Sequence, residues 1–242
     1  MAQCPRLTLT DLRLDLAGKT VLSDITLDLQ VRRLGIVGRN GSGKSTLARV
    51  ISGLIAPDAG SLRLDGIDPA RDRHAALNRI GILFQNPDHQ IIFPTVQEEL
   101  SFGLRQQGHG KTETAELVRA MLQRFGKAHW QEAPISTLSQ GQKQLVCLMA
   151  ILLMQPQLIV LDEPFSGLDL AIRGQLMRLF ETLPQALVHI THDPDCLAGY
   201  DHVLWVHEGR IHRSGHAKTV LPDYLAYMNQ AGLGDDLSDL AG

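Results

Sequence analysis

The chain begins with two segments in which apolar and polar residues alternate. Residues 7–16 and 21–29 have the period of two that half-exposed β-strands show, and residues 17–19 (Ala-Gly-Lys) predict a turn between them. Residues 34–37 form a short apolar run instead, which is typical of a strand buried on both faces. The beginning of the chain therefore predicts an antiparallel pair followed by a strand in the core of a sheet.

Strand patterns alternate with helical patterns along the rest of the chain. Further strands are predicted at residues 61–65, 80–84, 158–161, 187–191 and 203–207. Residues 95–155 show helical spacing of their apolar positions instead. Because strands separated by helices favour a parallel sheet, the pattern predicts an α/β fold with an all-helical insert between two strands.

Composition adds limits on function. The 242 residues are 44% hydrophobic and 20% charged, with 23 Lys and Arg against 26 Asp and Glu, a net charge of −3. This balance gives no reason to expect a nucleic-acid partner. The longest wholly apolar run, residues 145–154, is shorter than the roughly 18 residues needed to span a bilayer. The scattered Cys4, Cys147 and Cys196 fit neither a disulfide framework nor a zinc site, so we expect a reducing compartment.

The strongest chemical motif lies between the buried strand at 34–37 and the helical pattern that follows it. Residues 38–45 read GRNGSGKS and satisfy the phosphate-loop pattern G-x-x-x-x-G-K-[ST]. In such loops backbone N–H groups surround a phosphate, Lys44 reaches the β- and γ-phosphates, and the Ser45 hydroxyl group binds Mg²⁺. The predicted nucleotide-binding residues here are Gly38, Arg39, Asn40, Gly41, Ser42, Gly43, Lys44, Ser45 and Thr46.

A second motif is an apolar strand that ends in two carboxylates, Asp162 and Glu163. At the carboxyl edge of a parallel sheet the pair would lie beside the phosphate loop. Asp162 would then hold Mg²⁺ through water, and Glu163 would act as the general base on the attacking water. Such a pair can also cap a helix N-terminus, but the phosphate loop favours the catalytic interpretation.

A third motif, LSQGQ at residues 138–142, opens a predicted helix and forms a second candidate anion site. With these motifs in this order, residues 6–216 resemble the ATP-binding subunit of ATP-binding cassette (ABC) transporters. In that family the segment LSGGQ of one subunit closes on the ATP bound to the other. Gln140 departs from the commonest form, in which this position is Gly, so we expect weaker closure at worst.

The resemblance implies roles for further residues. Ser139, Gly141 and Gln142 would contact the nucleotide of the partner subunit. Gln85 would sense Mg²⁺ and the attacking water, residues 166–169 (SGLD) would cross to the partner, and His192 would contact the γ-phosphate. The implied cofactors are ATP and Mg²⁺.

The resemblance also implies an architecture. It is a P-loop NTPase core of the RecA-like, ABC type, with an N-terminal antiparallel β-subdomain and an inserted α-helical subdomain. We expect one ABC ATPase domain over residues 1–242. Its core would comprise residues 1–85 and 156–220, its helical subdomain residues 86–155, and its C-terminal helix and acidic tail residues 221–242.

Residues 84–100 resemble the corresponding segment of the energy-coupling-factor (ECF) importers, which take up vitamins and transition-metal ions. The short chain and its LSQGQ and DEPFSGLDL segments most resemble the ATPase of biotin importers. This implies three partners: a second ATPase subunit, expected to be the same chain, a transmembrane coupling subunit, and a substrate-binding membrane subunit. The location implied is the cytoplasmic face of the cell membrane. The alternatives are an ATPase of another importer or exporter, a P-loop kinase of small molecules, and a non-transport ABC-type clamp.

Two further expectations concern binding surfaces. ABC subunits usually stack the adenine on an aromatic residue near positions 15 and 16, which are Asp15 and Leu16 here, and Phe84 is the first aromatic residue. We therefore expect poor selectivity between ATP and GTP. Residues 86–105 carry an apolar set of which we expect part to pack in the core of the helical insert. We expect the remainder to form a groove with an acidic rim for a basic amphipathic helix of a membrane partner. The apolar set is Ile91, Ile92, Phe93, Val96, Leu100 and Phe102, and the rim is Glu98 and Glu99.

Overall fold

The computed structural model describes residues 4–234, so residues 235–242 of the predicted acidic tail lie outside the described residues. The strands are β1 (Arg6–Leu16), β2 (Lys19–Gln30), β3 (Arg33–Val37), β4 (Ala59–Leu64), β5 (Ile80–Leu83), β6 (Leu158–Asp162), β7 (Ala186–Ile190), β8 (His202–His207) and β9 (Arg210–Gly215). The α-helices are α1 (Lys44–Ile51), α2 (Arg73–Leu77), α3 (Val96–Gln106), α4 (Lys111–Arg124), α5 (Gln140–Leu153), α6 (Leu170–Thr182) and α7 (Ala217–Gly234).

The strands form two sheets with different hydrophobic patterns. The larger sheet has the order β5-β6-β7-β3-β8-β9 and is parallel except for β9, and the smaller antiparallel sheet has the order β2-β1-β4. Every residue of β6 and β7 is buried, whereas buried and more exposed positions alternate along much of β1. This difference follows from layers on both faces of the parallel sheet, and the predicted fold class is confirmed.

Helices cover the parallel sheet in the places that bear on the site. Helix α1 packs in one hydrophobic core with the small sheet and with β3, β6 and β7. Helices α3, α4 and α5 lie between β5 and β6 in the sequence and form a second core, which confirms the predicted helical insert. Helix α7 packs on β8 in a third cluster around Trp205.

Strand β5 ends at Leu83, so the predicted strand at residues 80–84 is one residue too long, and Gln85 follows it in a loop. After Leu83, side chains take the place of the neighbouring strand as hydrogen-bond partners of the backbone. The Phe84 N–H donates to Gln90 Oε1 at 3.2 Å, and Gln144 Nε2 donates to the Phe84 carbonyl at 3.1 Å. The hydrogen bonds of Phe84 thus go to side chains, and the chain leaves the sheet before Gln85.

Candidate functional site

The phosphate loop joins the end of β3 to the start of α1 and packs tightly against the rest of the core. A Cβ atom at Gly38 would collide with the Val206 carbonyl oxygen of β8, so only glycine fits there. Gly43 has φ +100°, in the left-handed region that favours glycine, and directly precedes α1. The two glycines allow a loop that turns sharply from a buried strand into a helix N-terminus.

Lys44 lies under this loop with only 6% of its surface exposed. Its Nζ donates to the carbonyl oxygens of Gly38 and Arg39, both at 2.8 Å. Burial lowers the pKa of Lys44, while the carboxylates of Glu163 and Asp162 oppose that shift. The ammonium group is therefore fixed at the loop, close to two acidic side chains.

Asp162, the last residue of β6, lies beside the first turn of α1. Its Oδ1 accepts a hydrogen bond from Ser45 Oγ at 2.9 Å, and 5% of the residue is exposed. Burial raises the pKa of Asp162, and the Ser45 hydrogen bond opposes the rise. With the amide oxygen of Gln85, these groups would offer Mg²⁺ only oxygen ligands, which that ion prefers, so the residues fit the ion that the resemblance implies.

Glu163 and His192 form a pair at the carboxyl ends of β6 and β7. The distance between Glu163 Oε2 and His192 Nδ1 is 2.8 Å, and the Glu163 N–H donates to the Ile190 carbonyl at 2.9 Å. Glu163 has φ +49°, a left-handed conformation that is uncommon for this residue type and typical of functional sites. Burial raises the pKa of Glu163, whereas the neighbouring His192 lowers it. A carboxylate with a raised pKa is suited to accept a proton near neutral pH.

One cleft of about 780 Å³ gathers most of the predicted site residues. Those that line it are Gly38, Arg39, Asn40, Gly41, Gly43, Lys44, Ser45, Thr46, Gln85, Glu163 and His192. Its volume lies within the range of small-molecule sites in proteins. Ser42 is buried in the loop, and Asp162 is buried next to Ser45.

The cleft also contains residues that the sequence analysis missed. Val21, Tyr224 and Met228 line it together with Leu16, and no motif marks Tyr224 or Met228 because they lie far from the phosphate loop in sequence. Gly209 supports the loop from behind, since its N–H donates to the Ser42 carbonyl at 3.0 Å. The Glu-Gly pair at residues 208–209 predicts the β8–β9 turn but not this contact.

Ser139, Gly141 and Gln142 lie at the start of α5 and do not line the cleft as it is formed by residues 4–234. Ser139 and Gln142 form a capping box: Ser139 Oγ accepts from the Gln142 N–H at 3.3 Å, and Gln142 Oε1 accepts from the Ser139 N–H at 2.8 Å. A Cβ atom at Gly141 would lie 2.6 Å from Ile172 Cδ1, so glycine allows α5 to approach α6 closely. Ser139 and Gln140 are exposed at this helix N-terminus.

Two contacts connect α5 to the residues on either side of Gln85. Lys143 Nζ and Asp88 Oδ1 form an ion pair at 2.7 Å, and Gln144 donates to the Phe84 carbonyl as described above. Gln85 itself donates from Nε2 to Ser166 Oγ at 3.1 Å. A displacement of Gln85 at the cleft would therefore affect both α5 and the segment at residues 166–169.

The expected acidic rim on the helical insert is wrong for one of its two residues. Glu99 is 7% exposed, and its Oε2 accepts the backbone N–H groups of Ile92 and Phe93, both at 2.9 Å. It is buried because two backbone donors of the preceding loop need an acceptor there. Val96 and Leu100 belong to the hydrophobic core, which confirms that part of this apolar set packs there.

An exposed apolar surface remains on the insert, and we call it the α3 patch. Ile92 is 68% exposed and Phe102 37% exposed, and the rings of Phe93 and Phe102 have centroids 5.3 Å apart. The α3 patch consists of Ile92, Phe93 and Phe102, and Glu98 lies exposed on the same helix. No helix within residues 4–234 combines the length and hydropathy that a membrane span requires.

Comparison with known proteins identifies relatives of this chain. The ABC transporter family profile matches residues 22–166. The chain is 49% identical over 211 residues to the biotin transport ATP-binding protein BioM of Rhodobacter capsulatus, which covers 87% of this chain and 90% of that protein. It is 38% identical over 203 residues to the energy-coupling factor transporter ATP-binding protein EcfA1 of Symbiobacterium thermophilum, over 80% and 71% of the two chains.

A solved structure has the same fold over nearly the whole chain. It is cbiO1 from Clostridium perfringens, part of the ABC transporter complex cbiONQ. The two chains superimpose with a TM-score of 0.78 at 28% identity, over 95% of this chain and 94% of that one. The likeness therefore includes both sheets and the helical insert.

Proposed function

The chain belongs to the ABC transporter family of ATP-binding proteins, and we propose that it hydrolyses ATP as the energising subunit of an energy-coupling-factor importer. The observation that carries this proposal is the cleft in which Lys44, Glu163 and His192 meet. The relatives are transporter subunits, which supports transport over the alternatives of a small-molecule kinase and a non-transport clamp. The 49% identity to a biotin transport protein favours biotin as the cargo.

Binding of the triphosphate would use groups that already point into the cleft. Backbone N–H groups of residues 38–46 and the start of α1 would surround the β- and γ-phosphates. Lys44 Nζ would exchange its two carbonyl acceptors, on Gly38 and Arg39, for phosphate oxygens that carry a full charge. Ser45, Asp162 and Gln85 would hold Mg²⁺, which neutralises charge on the phosphates when it is bound.

Hydrolysis would depend on Glu163. Its carboxylate would take the proton from a water whose oxygen attacks the γ-phosphorus, and the β–γ bridging bond would break with ADP as the leaving group. His192, whose Nδ1 is bonded to Glu163 Oε2, would orient that carboxylate and contact the γ-phosphate. Catalysis in this scheme is positioning and charge stabilisation, with the phosphate loop and Lys44 as fixed partners of the transferred group.

The subunit that closes over the nucleotide in the cleft would be a second copy of the chain. Ser139, Gly141 and Gln142 would close on the nucleotide bound to that copy, and the exposed N-terminus of α5 would face its γ-phosphate. A homodimer would contain two competent sites, because each copy of the chain would supply one phosphate loop and one LSQGQ segment. ATP would hold the dimer closed, and hydrolysis would allow it to open.

The membrane partner would dock on the α3 patch. We infer that the transmembrane coupling subunit contributes a basic amphipathic helix, whose apolar face covers Ile92, Phe93 and Phe102 and whose charge meets Glu98. The ATPase would thereby sit at the cytoplasmic face of the cell membrane, held there by its partners. A substrate-binding membrane subunit completes the proposed importer.

Reconstitution tests this proposal directly. The chain is purified with candidate transmembrane and substrate-binding subunits, placed in proteoliposomes, and assayed for ATP-dependent uptake of labelled biotin and, separately, of Co²⁺. We expect uptake of biotin but not Co²⁺ with the parent chain, and none with Glu163→Gln as the matched control. Uptake of Co²⁺ instead would reject biotin as the cargo, and membrane subunits that do not co-purify with the chain would reject the importer.

A further inference from the structure

A second large cavity lies where the helical insert meets the core, at the edge of the parallel sheet opposite the nucleotide cleft, and we call it the insert cavity. Helix α4 and the end of α5 line it from the insert, and residues 32–33 and 183–186 line it from the core. Arg33 and Ala186 are the first residues of β3 and β7, whereas the phosphate loop and His192 follow the carboxyl ends of these strands. The insert cavity has a volume of about 1090 Å³, and none of its lining residues lines the cleft.

The charged side chains around the insert cavity all have the same sign. Arg32, Arg33 and Arg124 line it, and no Asp or Glu of residues 4–234 does so. None of the three arginines takes part in an ion pair within the described part of the chain. Three positive charges without a carboxylate among them create a potential that attracts an anion.

Arg33 is half-buried and is fixed by the backbone that follows α6. Its Nη1 donates to the Gln185 carbonyl at 2.8 Å, and its Nη2 donates to the carbonyls of Leu183 at 2.7 Å and Phe180 at 3.2 Å. Burial lowers the pKa of Arg33, and Asp201, which opposes that shift, does not line the insert cavity. Because this partly desolvated cation has no ion-pair partner among the described residues, an anion in the cavity would offset part of the cost of its burial.

Arg32 and Arg124 keep their side-chain N–H groups available to a ligand. Both residues are exposed, and neither side chain donates a hydrogen bond within residues 4–234. The Arg124 guanidinium carbon lies 5.9 Å from the ring centroid of Phe125. A guanidinium group presents paired donors that match the two oxygens of a carboxylate. The two arginines therefore favour a carboxylate as the charged group of the ligand.

Apolar side chains line much of the rest of the insert cavity. Leu117 and Met121 belong to α4, Leu152 and Leu153 to α5, and Leu183 follows α6. All of them except Leu117 are less than a tenth exposed, so packing fixes their positions. An inorganic anion would leave these side chains uncovered, whereas an apolar chain on the anion would contact them and gain affinity.

We propose that the insert cavity binds a carboxylate that carries an apolar chain, such as the anion of a medium-chain fatty acid. Arg32 and Arg124 bind the carboxylate, and Arg33 adds a fixed positive charge. Apolar side chains of the insert and of the core cover the chain. Because the insert cavity shares no residue with the cleft, this binding does not require the proposed function.

Calorimetric titration of the full chain with decanoate below its micellar concentration tests this proposal. We expect saturable binding of decanoate, and at least about tenfold weaker binding of acetate, which lacks the chain, and of decyltrimethylammonium, which carries the opposite charge. Equal affinities for decanoate and decyltrimethylammonium would indicate adsorption to any apolar surface and would overturn the proposal. The absence of saturable decanoate binding would overturn it as well.

Variants of the arginines test the source of the charge selectivity. Arg32→Ala combined with Arg124→Ala should weaken decanoate binding about tenfold, because it removes the donors and keeps the apolar walls. Arg33 stays in place, since its loss would release the carbonyls that follow α6. Arg119→Ala, at an exposed position of α4 that does not line the insert cavity, is the matched control and should bind decanoate within about twofold of the parent. Unchanged affinity in the double variant, or an equal loss in Arg119→Ala, would contradict the proposal.

A bulky side chain tests the place of binding. Ala120 is exposed on α4 and lines the insert cavity, so the indole ring of Ala120→Trp would occupy space that the apolar chain needs. This variant should weaken decanoate binding at least about fivefold and leave ATP binding unchanged. Normal decanoate binding by Ala120→Trp would place the ligand elsewhere and reject the site.

Lys44→Ala separates this site from the nucleotide cleft. It should lose ATP binding and bind decanoate as the parent does, because Lys44 does not line the insert cavity. Loss of decanoate binding in Lys44→Ala would place the anion in the cleft and overturn the proposal. Retained ATP binding in Lys44→Ala, with decanoate bound normally, would reject the nucleotide site and leave the insert cavity supported.

Discussion

The nucleotide cleft and the α3 patch differ in the burial and hydrogen bonding of their side chains. In the cleft, Lys44 and Asp162 are 6% and 5% exposed, and both are hydrogen-bonded within the chain. On the patch, Ile92 is apolar and yet 68% exposed. The polar side chains of the cleft are held in place by hydrogen bonds within the chain, which prepares them for a small ligand. An exposed apolar side chain gains most from contact with another protein.

Two neighbouring acidic residues give the same contrast on one helix. Glu99 is buried and its carboxylate accepts two backbone N–H groups, while the exposed Glu98 carboxylate accepts a hydrogen bond from the Thr95 hydroxyl group at the helix start. Charge reversal at both positions would therefore change the docking surface at Glu98 and, at the same time, break the internal hydrogen bonds of Glu99. A test of docking has to leave Glu99 in place, because its loss would release the loop at residues 92–93.

The largest expected effect separates the two regions. Ile92→Asp combined with Phe102→Asp should abolish co-purification with the transmembrane subunit, since two carboxylates would be buried at the interface. ATPase activity of the isolated chain should stay within about twofold of the parent, because neither residue lines the cleft. Leu54→Asp, at a 52% exposed apolar position elsewhere on the surface, is the matched control and should assemble normally. Normal assembly of the double variant would place docking elsewhere.

A smaller effect concerns the buried His189 on β7, which does not line the cleft. His189 is 1% exposed on β7, its Nδ1 lies 3.0 Å from the Tyr200 hydroxyl group, and burial lowers its pKa to about 3, opposed by Asp193. Between about pH 3 and 6.5 the unfolded chain binds a proton there that the folded chain does not. Stability from His189 is therefore fully present above the pKa of the unfolded chain and is lost on acidification below it, by on the order of 1 kcal/mol per pH unit.

Urea unfolding at several pH values measures this contribution. His189→Phe, which places another ring among Phe165, Phe180 and Tyr200, should remove that part of the pH dependence, whatever its effect at pH 8. An unchanged slope in His189→Phe would contradict the assignment.

The smallest expected effect concerns the choice of nucleobase. GTP should be hydrolysed with a kcat/KM within about tenfold of the value for ATP, because positions 15 and 16 offer no aromatic ring on which to stack adenine. Steady-state assays with both nucleotides on the same preparation measure the ratio. A preference for ATP beyond a hundredfold would require a polar group that contacts the base.

The sequence predicted much of this molecule because its motifs are local. A phosphate loop has to follow a buried strand, so residues 38–46 could be located without coordinates, and so could the carboxylates at the end of β6. The burial of Glu99 could also be predicted, since Glu99 lies three residues after the core residue Val96 and therefore on the same side of α3.

Long-range contacts account for what the sequence did not predict. Tyr224 and Met228 line the cleft because α7 packs on β8, which lies next to β3 in the sheet. Gly209 supports Ser42 through the β8–β9 turn, and β9 itself carries mostly exposed residues that give no clear strand pattern. Such contacts depend on the order of strands in the sheet, which local periodicity does not encode.

The central claim is that Glu163 is the general base of a site in which Lys44 binds phosphate. The most direct measurement pairs single-turnover ATP hydrolysis with size-exclusion chromatography in ATP and Mg²⁺, for the parent chain, Glu163→Gln and Lys44→Ala. Glu163→Gln should bind ATP normally, lose at least about a hundredfold in turnover, and persist as a dimer, whereas Lys44→Ala should lose both binding and dimerisation. Hydrolysis by Glu163→Gln within about tenfold of the parent would contradict the account.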